Sequence, residues 1–155
     1  MIQTTSTSVN YILSTGSAGT YNVFGVCFNC GSVMGRIGIN IYNVGYYPTT
    51  GNKVINGGLW HTVLVTYDGT TLLIYVDGIL DSTITNWNTG STSTIASTLN
   101  TVGNSGNYLG QYVNGDHRWI GKLKNVQFYD YVITNTYALG NSYQLAGSSI
   151  YTSGI

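Results

Sequence analysis

The sequence predicts an all-β protein, an antiparallel two-sheet sandwich, and three observations predict it. Helix formers are scarce: Ala stands only at positions 18, 96, 138 and 146, and Glu is absent. Strand formers are abundant, with 14 Tyr and with Thr, Val and Ile spread throughout. The 21 Gly punctuate stretches of period-2 alternation at short intervals, as turns do between the strands of a sandwich or barrel. At 155 residues the chain suits a single domain, 1–155, long enough to bury a core, and no linker or internal repeat divides it.

Three strands are expected early, at Asn10–Ser14, Tyr21–Phe28 and Val33–Tyr42. The clearest section follows, from Leu59 to Leu80. Trp60–Tyr67 reads as a strand with Val63, Val65 and Tyr67 on one face and Thr62, Leu64 and Thr66 on the other. Asp68-Gly69 turns the chain tightly, because Gly accepts the positive φ such turns need. Leu72–Val76 returns, and Asp77-Gly78 turns it again into a short strand near Ile79–Ile84. Trp87–Gly106 is low in complexity and suits a long polar loop, or a strand between two loops. Tyr108–Gln111 is a short strand. Arg118–Val132 is a long one, burying Trp119, Leu123, Val126 and Phe128 while Lys122, Lys124, Asn125 and Gln127 face water. A short helical turn follows Ile133, with Thr134 as N-cap.

The segment WHTVLVTYDGTTLLIYVDGIL at 60–80 resembles the central hairpin of laminin-G-like domains of the concanavalin A-like jelly-roll superfamily. Their pattern is a Trp, often His, alternating hydrophobics, a Y-D-G turn and then L-x-L-Y-V-D-G. YLGQ at 108–111 is similar to the short strand before the last long one, and RWIGKLKNVQFYDYVIT at 118–134 to the closing strand and the turn after it. The likeness spans about 11–143. It implies a jelly-roll sandwich in which Trp60, Asp68, Gly69, Asp77, Gly78 and Gly121 hold structural positions, and a carbohydrate-binding or adhesion role.

Two departures stand out. Leu123-Lys124-Asn125 lacks the acidic residue usual in the closing strand, which weakens any carry-over of a calcium ligand there. Members also open with a Trp-bearing strand before the segment that starts at Tyr11, and here only MIQTTSTSVN precedes it. A sandwich short of a strand has an open edge and an exposed core. The expectation is that the tail Ser142–Ile155 completes a sheet, within the chain or on a neighbouring subunit.

Charge narrows the function classes. Only 6% of residues are charged and the net charge is zero, so the chain has no electrostatic footprint for nucleic acid. Few charges of either sign favour association, hence an oligomer or a place in an assembly. No apolar run reaches the length of a membrane span. MIQTTSTS lacks the basic start and apolar stretch of a secretory signal, so either the chain is not exported by that route or it is a processed or recombinant fragment. An extracellular or virion-surface location is expected.

Catalytic readings fail on chemistry. Sugar hydrolysis by this superfamily needs paired carboxylates on a strand, and with Glu absent the five acids are Asp68, Asp77, Asp81, Asp116 and Asp130. His61 reads as a strand residue and His117 as a turn residue, and no nucleophile signature accompanies them. Cys27-Phe28-Asn29-Cys30 is a lone C-x-x-C, weak for zinc. Free thiols are the first expectation for it and a local disulfide the second. No cofactor is expected; calcium keeps a slight place, through Asp116 with Asn114 or Asp81 with Asn86.

Binding surfaces remain. Aromatics fall at loop-like positions at Tyr46, Tyr47, Trp87 and Tyr112, with Trp119 near a rim, where flat rings beside amides and hydroxyls suit sugars. The candidate glycan-binding residues are Trp87, Tyr112, Asp116 and Trp119, although a strand Trp such as Trp119 suits the core better. Two functions follow. The first is a non-catalytic carbohydrate-binding or adhesion module. The alternative is a structural subunit of a virion decoration, capsid or fibre.

Overall fold

The computed structural model describes residues 1–16, 23–30, 34–42, 49–68, 71–85, 106–113, 115–129 and 132–133. Every described element is a strand: β1 (Ile2–Gln3), β2 (Asn10–Thr15), β3 (Val23–Phe28), β4 (Ile37–Tyr42), β5 (Thr49–Thr50), β6 (Trp60–His61), β7 (Val63–Tyr67), β8 (Leu72–Val76), β9 (Ile79–Ile84), β10 (Asn107–Leu109) and β11 (Lys122–Leu123). All ladders are antiparallel.

One layer is the five-stranded sheet β10-β2-β3-β4-β5. The other is built from β11-β1-β6 and β7-β8-β9, where β6 and β7 are two halves of one predicted strand interrupted at Thr62. Alternation decides what the layers share. Ile12, Phe28, Ile37 and Ile39 from the first sheet meet Leu72, Ile74, Val76, Ile84 and Ile2 from the second in one buried cluster. Burying such side chains fully is worth roughly 1.5–3 kcal/mol each, the main favourable term in the fold.

The predicted meander forms as expected. Asp77 at φ 53° and Gly78 at φ 78° make the paired positive-φ turn that matches strand twist. At the first turn the Asp68 carboxylate accepts the Thr71 amide at 2.7 Å.

The closing segment differs from expectation. Instead of a strand over Arg118–Val132, only Lys122–Leu123 enters a ladder. Val126 and Phe128, expected to be buried, are 39% and 69% exposed, because no strand lies beside them among the described residues. Trp119 and Leu123 do pack on the core. Trp60, which the resemblance places at a structural position, lies outside the buried core. It is 39% exposed and pairs with Gln3, in the alternation phase opposite to buried Ile2. The turn after Ile133, most of the Trp87–Gly106 loop and the tail Ser142–Ile155 lie outside the described residues.

Candidate functional site

The first sheet carries a second cluster on the face turned away from the core. Tyr11, Cys27 and Cys30 are buried there with Val9 and Tyr112 against them. Tyr11 and Cys27 are register partners, one residue out of phase with the core residues Ile12 and Phe28. Gly25 lies diagonally across the ladder, and a Cβ there would sit 2.6 Å from the Tyr11 ring. The Tyr11 ring therefore lies against bare β3 backbone.

Cys27 and Cys30 are joined in a disulfide, which corrects the expectation of free thiols. Asn29 at φ 61° turns the chain at the end of β3 and leaves the two Cα atoms 6.0 Å apart, within bridging range.

Over this cluster folds the loop from Gly110 to Trp119. The Gly110 amide donates to Ile12 O at 2.8 Å and the Trp119 amide to Gly110 O at 2.8 Å, which closes the loop at its base. Inside it, Tyr112 N donates to Asp116 O at 3.0 Å and Gly115 N to Tyr112 O at 2.9 Å. His117 adopts φ 48°, an uncommon conformation for a side-chain-bearing residue, and its carbonyl accepts the Tyr11 amide at 2.9 Å. The Tyr112 ring lies 4.7 Å from Tyr11, and the His117 ring lies 6.2 Å from both. Asp116, His117 and Arg118 are exposed around the half-buried Tyr112, and Arg118 Nε donates to Gly115 O at 3.2 Å. The loop thus presents an aromatic face, an imidazole, a guanidinium and a carboxylate on a backbone held by its own hydrogen bonds.

Of the sequence candidates, Tyr112 and Asp116 are brought together here. Trp119 leaves the loop inward, edge-on to Phe28 at 6.0 Å and packed against the core. Trp87, Tyr46 and Tyr47 lie outside the described residues. Tyr11 and His117 were not among the candidates. Tyr11 carried a faint signal, a large ring in the outward phase of a strand whose neighbour places Gly25 in the same phase.

The other polar cluster is structural. Asp77 Oδ2 takes Lys53 Nζ at 2.7 Å and His61 Nδ1 at 2.8 Å, and its Oδ1 accepts the Thr62 amide at 3.0 Å. Partial burial opposes ionisation of Asp77, but the hydrogen bonds from Lys53, His61 and Thr62 outweigh it and hold the carboxyl below its ordinary range. Asp81 accepts the Asn52 and Lys53 amides at 2.8 Å each. Both oxygens of Asp81, a calcium candidate, thus take amide donors, and its suggested partner Asn86 lies outside the described residues, as does Asn114. Among the described residues no group of three acids, histidines or cysteines stands close enough to hold a metal ion, and no helix is long and apolar enough to cross a membrane.

Residues 1–137 match the Concanavalin A-like lectin/glucanases superfamily. Among solved structures, the CBM40 of the Ruminococcus gnavus IT-sialidase, bound to alpha2,3 sialyllactose, superposes with a TM-score of 0.68 at 18% identity, covering 91% of this chain and 78% of that one. The same module without that ligand aligns with the same values. Mouse laminin alpha1 chain domains LG4-5 align at 19% identity over 54% of this chain and 21% of that one, with a TM-score of 0.44. No curated protein matches.

Proposed function

The chain belongs to the Concanavalin A-like lectin/glucanases superfamily, and from that premise we propose that it is a non-catalytic carbohydrate-binding module taking a glycan on the Tyr112–Arg118 loop. The observation that carries the reading is the half-buried Tyr112 ring, backed by Tyr11 at 4.7 Å, with the His117 ring at 6.2 Å and exposed Asp116 and Arg118 in the same loop. A sugar stacks its C–H face on such a ring while its hydroxyls reach the polar side chains. The Arg118 guanidinium, with the His117 imidazole beside it in sequence, suits an acidic sugar, and the similarly folded Ruminococcus gnavus module is seen with alpha2,3 sialyllactose. Absence of Glu and the engagement of Asp77 and Asp81 in structural hydrogen bonds support a non-catalytic role. The buried Cys27–Cys30 disulfide supports an extracellular location, where such bonds persist. The structural-subunit reading draws no support from the comparisons.

The test is an array of neutral and sialylated glycans probed with the intact chain and with Tyr112→Ala. Binding that Tyr112→Ala weakens at least about tenfold is the expected result. Absence of binding to every glycan, or affinity unchanged by the substitution, refutes the assignment.

A further inference from the structure

The β11-β1-β6 part of the second layer turns one face away from the core, and that face carries its own chemistry. Ile2 and Leu123 belong to the core cluster, so Gln3 and Lys122, one residue out of phase, stand on the outer side. The register sets Trp60, Gln3 and Lys122 in one row across β6, β1 and β11. Lys124 follows Lys122 in the same phase, and its amide continues the ladder by donating to Met1 O at 3.0 Å. On the other side of the row the three backbones stay joined. Gly58 N donates to Thr4 O at 3.0 Å, and the Thr4 hydroxyl donates to Ile120 O at 2.6 Å. Thr5 and Ile120 therefore flank the row, while Gly58 adds no side chain.

Trp60 is 39% exposed and Ile120 56%, and Thr5, Lys122 and Lys124 are exposed as well. An exposed indole offers a large flat apolar area with little side-chain freedom to lose on binding. The charge on this face has one sign, although the chain has as many acids as bases. Among the described residues no Asp stands on β1, β6 or β11, and neither Lys122 nor Lys124 joins an ion pair. Asp77, which reaches His61 beside Trp60, has its oxygens engaged by Lys53, His61 and the Thr62 amide.

We propose that this face is a second binding surface, separate from the Tyr112 loop on the other sheet's outer side, and that it takes an anionic polysaccharide whose sugars carry carboxylate or sulfate groups. A sugar ring stacks on Trp60, and an acidic group on that sugar or the next meets Lys122 or Lys124. The backbones of Trp60 and Lys122 lie two strand spacings apart, about 9.6 Å, and the two lysines about 6.8 Å apart along their strand. A chain laid across the strands thus meets indole, amide and ammonium in turn. Gln3, in the middle, is held toward the Trp60 side by its Nε2 donating to Gly58 O at 2.7 Å. A flat open face cannot enclose a small ligand, so the occupant is one that continues across it. One ring with an amide, a hydroxyl and two ammonium groups is also too polar for the centre of a protein interface, which favours the glycan.

Affinity electrophoresis of the full chain through gels holding polygalacturonate, dextran sulfate or neutral dextran tests this, and the first two polymers separate carboxylate from sulfate recognition. Retardation by at least one anionic polymer, and none by neutral dextran, is expected. Trp60→Ala should weaken it at least about tenfold, and so should the double variant Lys122→Gln/Lys124→Gln, whose exposed positions leave folding intact. Tyr112→Ala should leave it unchanged, which keeps this surface distinguishable from the loop. Failure of both anionic polymers to retard the chain overturns the proposal, as does equal retardation by neutral dextran. Retardation that the lysine variant leaves unchanged overturns it too, and retardation that Tyr112→Ala removes assigns the polymer to the loop instead. A dimer in sedimentation that Trp60→Ala dissociates would give the face to a second copy and equally overturn it.

Discussion

His61 Nδ1 lies 2.8 Å from Asp77 Oδ2, and this contact ties the strand that carries the Trp-His pair to the hairpin turn between β8 and β9. The same carboxylate accepts the amide of Thr62, the residue at which the β6–β7 strand line breaks. Asp77 is therefore both the turn former that its Asp-Gly dipeptide announces and a substitute partner for a backbone donor.

Asp77→Asn keeps the positive φ, which Asn tolerates, but loses the ionic partner of Lys53. A loss of about 1 kcal/mol at neutral pH is expected, kept small by solvent around the pair. The folded pKa of Asp77 is lowered, so its contribution is present above the ordinary carboxylate pKa and fades as pH falls through the folded value. Melting temperatures measured across acid pH should converge for wild type and variant. A constant difference down to the most acid point contradicts the assignment.

Gly121 stands at φ 147°, and a Cβ there would run into the Gln3 carbonyl. Gly121→Ala should cost at least about 2 kcal/mol through strain and displacement of β1. Gly57, with nothing near its would-be Cβ, is the control, and its Ala variant should stay within about 0.5 kcal/mol. Equal denaturant midpoints for the two variants refute this.

Thiol titration of the native protein should detect no reactive cysteine, and the pair should appear only after reduction. The loop that the disulfide closes spans a sequence separation of 3, so chain entropy limits its contribution to about 2 kcal/mol. Replacing both cysteines with Ala should lower stability by that order without unfolding the chain, read from urea denaturation.

Trp119 and Tyr112 should separate core from ligand surface. The Trp119 indole N–H is buried with no hydrogen-bond partner among the described residues, so Trp119→Phe should cost little, while Trp119→Ala loses packing against Phe28 worth about 2–4 kcal/mol. Neither Trp119→Phe nor Tyr112→Phe should change glycan affinity much. Tyr112→Ala should weaken binding at least about tenfold, the loss of roughly 1.4 kcal/mol of stacking. A Trp119→Phe variant that folds normally but loses binding would move the site.

The sequence by itself determined the fold class, the meander and its turns, because alternation and Asp-Gly chemistry act over a few neighbouring residues. It also determined that Tyr112 and Asp116 share a turn, since they are four positions apart. What lies beside a strand is a different matter. Alternation says which side chains face inward, but it is silent on lateral neighbours, which are set by contacts far apart along the chain. So only the tertiary structure decided that Tyr11 backs Tyr112, that β1 sits between β6 and β11, and that Trp60 stands outside the core. The closing strand shows the same physics from the other side. Val126 and Phe128 alternate as a buried face does, yet both stand exposed, because a strand forms only where a second backbone supplies its hydrogen bonds. Among the described residues β1 supplies them to Lys122–Leu123 and, with its terminal residue, to Lys124, and no further.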